Sequence, residues 1–244
     1  MLERAHFEIG ETAVTILAEK DYIPLAQQNI FDTREIILRK IRRDPLFRNT
    51  LEPYESDEDD HPLIRRMCDA SAKAWVGPMA TVAGAVAQEA VEAMFYAGAK
   101  TAVVDNGGDI AMVLGQELMV GIYSGEHFPN LGFKCVPRDG PFGMCSSSRT
   151  LGPSISFGKT DIATVISKDV LLADACATAL GNWVEECSDE ALRKALDKVC
   201  AIDAVEGALI IAGEHLAMKG SLPQLVRVES GEHLITKRVL NVDD

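Results

Sequence analysis

The stretch VLLADACATALGNWV, residues 170–184, constrains the chain more than any other. It is long enough for a helix, and Asp169 stands just before it as a residue suited to cap one. Nearly every side of that helix would be apolar, so it must be covered all round. Such a helix calls for a layered core. A chain of 244 residues, 47% apolar and 25% charged, can supply one.

Three polar residues interrupt the stretch. Asp174, Thr178 and Asn182 recur at i, i+4 and i+8, which sets them on one stripe. Burying a carboxylate is costly unless it is paired, hydrogen-bonded or bound to a metal. This helix holds no Lys or Arg. Two readings stand side by side. Asp174, one turn from the Thr178 hydroxyl, suits a hard cation such as magnesium. Alternatively, it caps a neighbouring helix or bonds backbone amides.

The rest of the pattern predicts a mixed fold. His6 to Ala18 alternates in part, with Gly10-Glu11 as a turn. Apolar positions from Ile23 to Arg43 recur at helical spacing, and the basic end (Arg39, Lys40, Arg42, Arg43) reads as a solvated last turn complementing the helix dipole. Glu52 to Asp60 carries six acids and Pro53, the mark of a solvated surface loop rather than a metal-collecting one. Leu63 to Ala74 is a short helix. Pro78 opens a long small-residue helix through Ala97, closed by Gly98. Its small face, Gly77 to Ala87, points to close packing, with room for a flat ligand as the rarer use. Strands are expected before and after residues 105–109, at 117–123, 131–136, 142–145 and 161–167. A helix follows at 188–199, and short closing strands at 208–211, 215–218 and 225–228. With no repeat or composition shift, the expectation is one α+β domain over 1–244 with a mostly antiparallel sheet. Residues 52–62 form its acidic surface loop and 205–244 its closing strands and tail.

Two further motifs can carry chemistry. DNGGD, residues 105–109, lies between two apolar runs. Asn-Gly there is a strong hairpin signal, while paired glycines also let a ligand approach the main chain. CSSSRTLGPSISFGKTD, residues 145–161, sets Ser146, Ser147, Ser148 and Thr150 beside Arg149. Hydroxyls, amides and a guanidinium can hold a phosphate or carboxylate, though a polar loop has the same composition. There is no G-x-S-x-G elbow to make a serine a nucleophile.

Bulk charge excludes some partners. A formal net charge of -13 argues against nucleic acid and anionic membrane, both of which need a positive footprint. The start lacks a basic segment followed by an apolar one, so a cytoplasmic protein with reduced thiols at its six cysteines is expected.

Taken in order, these elements resemble the ApbE-like superfamily, whose characterised members are magnesium-dependent FAD:protein FMN transferases. The matching motifs are the Gly/Ala-rich helix Gly77 to Met94, then Asn106-Gly107-Gly108-Asp109, then the Ser-rich turn, then Ala173-Asp174-Ala175-Cys176-Ala177-Thr178-Ala179-Leu180. A smaller, shorter offshoot of that superfamily is more similar still. It shares Glu11-Thr12, VGPMA and AGA within Val76 to Ala85, NGGDI, the C-S-S run and Ser154 to Lys159. The likeness spans about residues 5 to 185.

The resemblance implies an ApbE-like fold with helices flanking the sheet. It implies magnesium at Asp174 and Thr178, and FAD or FMN, or another phosphate-bearing small molecule, against Asn106, Gly107, Gly108 and Asp109. Ser147, Ser148 and Arg149 would hold its anionic group, and a homodimer is the expected assembly. No residue is assigned a catalytic role. The chain departs from the transferases in three places. Val82-Ala83-Gly84 stands where they carry A-K-G, the H-I-I-D-P-x-T-G segment has no counterpart, and the chain is shorter. Arg149 and Pro153 stand where the offshoot has glycine and histidine. A non-catalytic binding or assembly protein on the same scaffold is the alternative.

Overall fold

The structure is a computed structural model and describes residues 1–122, 127–148 and 158–228. Its strands fall into two sheets in which every pairing is antiparallel. The larger begins with a hairpin of β1 (Leu2–Ile9) and β2 (Thr12–Glu19), turned by Gly10 at φ 55°. It continues through β3 (Ala102–Asn106) and β4 (Asp109–Val113). The chain then leaves for a three-stranded sheet through β5 (Leu118–Gly121) and β6 (Leu131–Cys135), later joined by β11 (Gln224–Arg227). It returns as β7 (Phe142–Ser147) beside β4, and β8 (Ile162–Ser167), β9 (Val205–Ala212) and β10 (His215–Gly220) complete the eight-stranded order.

Alternation along these strands makes two cores. Ala102, Val104, Ala111, Cys145, Ala163 and Val165 face the helices, while Val103, Ile110, Met112, Met144, Ile162 and Ile166 face the small sheet. The helices pack against the first of these faces, giving the expected α+β arrangement of a mostly antiparallel sheet with helices against it. The other face is closed by β5, β6 and β11, an outcome that the short strand patterns at 118–135 gave no means to foresee.

The buried helix is α5 (Val170–Trp183), if helices are counted as α1 (Ile23–Arg43), α2 (Pro45–Asn49), α3 (Pro62–Lys73), α4 (Val82–Tyr96), α5 and α6 (Asp189–Val199). Asp169 caps α5 by accepting from the Leu172 amide. Ser188 caps α6 through Ala191. Gln88 of α4 adds a second cap, its Oε1 accepting from the Val170 amide at 2.7 Å. Pro78 does not start α4 directly. It opens a 3-10 turn, Pro78–Thr81, after which α4 begins at Val82.

The acidic loop and the basic end of α1 are not separately solvated. Lys40 is only 4% exposed, with its Nζ 2.6 Å from Asp60 and 3.4 Å from Asp57, and Arg43 pairs with Asp59 at 3.0 Å. Opposite charge on segments close in sequence has folded the loop onto the helix. Among the described residues no helix is long and apolar enough to cross a membrane.

Candidate functional site

The DNGGD segment is a two-residue hairpin between β3 and β4. Its corner residues are Gly107 and Gly108, at φ 72° and 104°, not Asn106-Gly107. Two successive left-handed residues match the twist of a tight hairpin, and glycine adopts them without steric cost. Asp105 reinforces the corner by accepting from the Gly108 amide at 2.9 Å. Asn106 is thereby released from the corner, and its side-chain amide donates to the Ala83 carbonyl at the start of α4. That bond ties the turn to the helix layer.

Asp174 reaches the same place from α5. Its Oδ2 accepts from the Gly84 amide at 2.8 Å, so the backbone-amide reading is realised and occupies one carboxylate oxygen. The helices approach so closely here that a Cβ on Gly84 would stand 2.9 Å from the Asp174 Cβ and 2.7 Å from the Val170 carbonyl. The small-residue face is therefore used for packing. Asp109, on the helix-facing side of β4, completes a pair of like charges with Asp174.

Burial pushes Asp109 well above the ordinary carboxylate range, and the neighbouring Asp174 and Asp105 charges push it further. The Cys145 thiol and the Ser146 amide pull it back only in part. Asp109 keeps some open surface, yet packed protein crowds its carboxyl, and the crowding governs its proton affinity. Burial likewise lifts Asp174 to about 7, against the pull of the Gly84 and Ala83 amides. Cys145, opposite Asp109 in the β4–β7 register, is itself pushed well above the usual thiol range by burial and by these carboxylates. Among the described residues neither Asp109 nor Asp174 has an ion-pair partner.

The other expected residues divide. Thr178 stands one turn beyond Asp174, half-buried. Ser147 and Ser148 are both buried but diverge, because neighbouring strand residues point to opposite faces. Ser147 falls on the helix side with Cys145. Ser148 lines a cleft on the other side, with Gly107, Gly108, Val120, Met144 and Ser146, enclosing about 490 Å³ with its mouth included. Arg149 lies outside the described residues. So Asn106, Asp109 and Asp174 come together, and a joint Ser147–Ser148 surface does not form. Cys145 belongs to the cluster as well, whereas Asp105, opposite Ile110 on the other face of the hairpin, acts on Asp109 through its charge alone. Asp105 could be found from its place two residues before Gly107, whereas nothing local marks Cys145.

The donor set is oxygen-rich and negative. No three His, Cys, Asp or Glu side chains among the described residues converge enough to enclose a metal ion by themselves. Two carboxylates and a nearby hydroxyl are the residues that could contribute to holding a hard cation that keeps part of its water shell.

The eight-stranded meander, with its excursion into a small sheet and the Asp174 helix beneath, has counterparts of known kind. A family model described as "AbpE bacteria" matches residues 1–217. The chain belongs to that family. Within this ApbE-like family it is 49% identical over 238 residues to a UPF0280 protein of Methanocella arvoryzae, covering 97% of this chain and 96% of the relative. It is 45% identical over 236 residues to one of Methanosarcina acetivorans, covering 96% and 93%. Among solved structures it is similar to the flavin transferase ApbE of Vibrio cholerae in its H257G form, with a TM-score of 0.56 at 12% identity over 90% of this chain and 97% of that one. The apo flavinyl transferase ApbE of Pseudomonas stutzeri gives 0.57 at 12% identity, over 91% and 94%. At such identities these structures establish the ApbE-like α+β fold and nothing finer.

Proposed function

We propose that this ApbE-like chain binds a divalent cation at Asp174, Thr178 and Asp109, and through it a phosphate-bearing small molecule of flavin-nucleotide type. The observation that carries the reading is the Asp109–Asp174 pair. A buried Asp174 and a partly exposed Asp109 are set against each other, both with raised proton affinity and no cation from the described chain to offset them. Charges so placed are costly unless an ion or protons enter. A bound divalent cation would neutralise phosphoryl oxygens and polarise them. The chain's own part is positional. Gly84 and Ala83 aim their amides at Asp174, Asn106 locks the turn to α4, and the Cys145 thiol, donating to the Val170 carbonyl, packs beside Asp109. Gly107 leaves its corner open, since a Cβ there would meet nothing within 4 Å.

FMN transfer is the enzymatic form of this reading, and a binding or assembly role is its rival. Val82-Ala83-Gly84, without the lysine of the transferases, favours the rival. The test mixes protein, FAD and magnesium and follows flavin fluorescence and AMP release. Magnesium-dependent FAD binding that Asp174→Ala abolishes is the expected result. AMP release would mark transferase chemistry, and binding without it a binding module. Absence of FAD binding with and without magnesium would overturn the flavin assignment.

A further inference from the structure

The first turns of α4 and α5 lie side by side, and each receives a cap from the other. Gly84 is in the first turn of α4, where a helix leaves its amides without an internal acceptor. Its amide donates across to Asp174 Oδ2 of α5 at 2.8 Å. Val170 opens α5 with the same need, and its amide donates back to Gln88 Oε1 of α4 at 2.7 Å. Gly84 and Gln88 are one turn apart, as are Val170 and Asp174. The bonds run in opposite senses between two antiparallel turns, which makes them a reciprocal clamp. Asp169 spends its own carboxylate on the Leu172 amide, so the task at Val170 falls to Gln88.

Side-chain shape does little to fix how far α5 is slid along α4. On the faces that carry the clamp stand Ala87 and Ala173, both fully buried, and Gly84 has no side chain at all. Such small groups interlock shallowly, and ridges into grooves need longer ones. The chemistry at position 88 is also selective. Val170 needs an acceptor there, while Glu92 Oε1 takes a donor from Gln88 Nε2 at 2.6 Å. A primary amide offers both on neighbouring atoms, and a carboxylate or an ammonium does not. Glu92 in turn lies 4.0 Å from Arg66, which pairs with Glu89 at 2.6 Å. The direction in which the Gln88 amide faces is thereby set. Gln88 itself is 5% exposed, so water does not replace these partners.

We infer that Gln88 is a positioning residue for Asp174: it locks the register of α5 against α4 and so sets where the Asp174 carboxylate stands beside Asp109. The functional meaning of this lock rests on the cation reading proposed above, whereas the clamp exists with or without an ion. Partners that orient a ligating carboxylate govern metal affinity nearly as much as the ligand does.

Manganese calorimetry and site-resolved amide hydrogen exchange on the full chain test the lock. Gln88→Met conserves length and removes both hydrogen-bonding groups. Manganese affinity should fall by about tenfold or more. In chelator-treated protein the Gly84 amide, loosened with Asp174, should exchange about tenfold faster, while Val91 and Met94 farther along α4 keep their rates. Gln88→Glu combined with Glu92→Gln exchanges amide and carboxylate, again gives Val170 an acceptor, and should return both readings to wild type. Glu92→Ala, at a half-buried position, frees the Gln88 amide to turn and should move both readings the same way in smaller measure, even where Gln88→Met is too unstable to purify. A Gln88→Met that only melts earlier, with manganese affinity and Gly84 exchange as in wild type, makes Gln88 an ordinary cap and overturns the inference. So does an exchanged pair that restores neither reading. A wild type that binds no manganese removes the cation reading, and faster or unchanged Gly84 exchange then upholds or overturns the lock by itself.

Discussion

Two charge clusters, one at the C-terminal end of α1 and one where α5 meets α4 and β4, are built on opposite plans. Around Lys40 every charge is answered from within the chain. Its Nζ meets Asp60 and Asp57, lies 5.2 Å over the Tyr54 ring, and Asp60 also accepts from the Asp57 amide at 2.9 Å. Burial alone would loosen the Lys40 proton, yet hydrogen bonding to Asp60 and Tyr54 outweighs it and holds the ammonium above the usual lysine range. Around Asp109 and Asp174 the neighbours are amides, a thiol and another carboxylate. The first cluster is closed and needs nothing. The second has a deficit of positive charge, and a deficit in a packed place is where an exogenous cation gains most. The same chemistry, buried ionisable groups, thus means structure in one region and, in the reading we propose, a site in the other.

The sharpest way to break the contrast is to open the closed cluster. Lys40→Met leaves Asp60 buried without its cation, and loss of one partner of a buried pair costs about 3–5 kcal/mol. Urea unfolding followed by circular dichroism should show that loss. Replacing Asp60 by Leu in the same chain should recover most of it, because an apolar pair of similar volume is no worse than the ion pair. A loss below about 1 kcal/mol would place Lys40 among ordinary solvated pairs, and the contrast would fail.

The open cluster should respond in the other direction. Asp174 has its folded carboxyl at about 7 against an ordinary 3.8, so the folded state holds its proton where the unfolded state releases it. Stability contributed by that proton is present at low pH and lost as pH rises from about 4 through 7. Asp174→Asn keeps an acceptor for the Gly84 amide and removes the charge. In chelator-treated protein it should be more stable than wild type at alkaline pH, by at most about 4 kcal/mol, with the gain fading toward pH 4. Magnesium should raise the wild-type melting temperature at alkaline pH and leave Asp174→Asn unmoved. A destabilised Asp174→Asn at alkaline pH would make the carboxylate a simple cap of α4.

Much of this was open to reading before the fold. The 3.6-residue spacing of Ile30, Ile37 and Ile41 delivers α1 with its observed ends, and the all-apolar α5 announces its own burial. Local chemistry also exposes Asp174, since a carboxylate in such a helix demands an account. Residues 45–49 form α2 under a capping Asp44, too short to leave a period. The Lys40–Asp60 pairing spans twenty residues and depends on a loop folding back, which composition describes only as acidic. Cys145 reaches Asp109 through the register of β4 with β7, set by the excursion of the chain into the second sheet. The divergence of Ser147 and Ser148, in contrast, follows from the two-residue repeat of a strand once 142–147 is extended.

The smallest perturbation divides the site most finely. Thr178 is half-buried, one turn from Asp174, and Thr178→Val conserves its shape. Its stability should change by less than about 1 kcal/mol. If the hydroxyl is a third oxygen for the cation, manganese affinity measured by calorimetry should nonetheless fall by about tenfold or more. Lys40→Met, folded at low temperature, should bind manganese as wild type does, because its cluster is closed. An unchanged affinity in Thr178→Val would restrict the ion to the two carboxylates. The Asp174–Thr178 stripe would then be packing beyond its first residue, and the open cluster would consist of Asp109 and Asp174 alone.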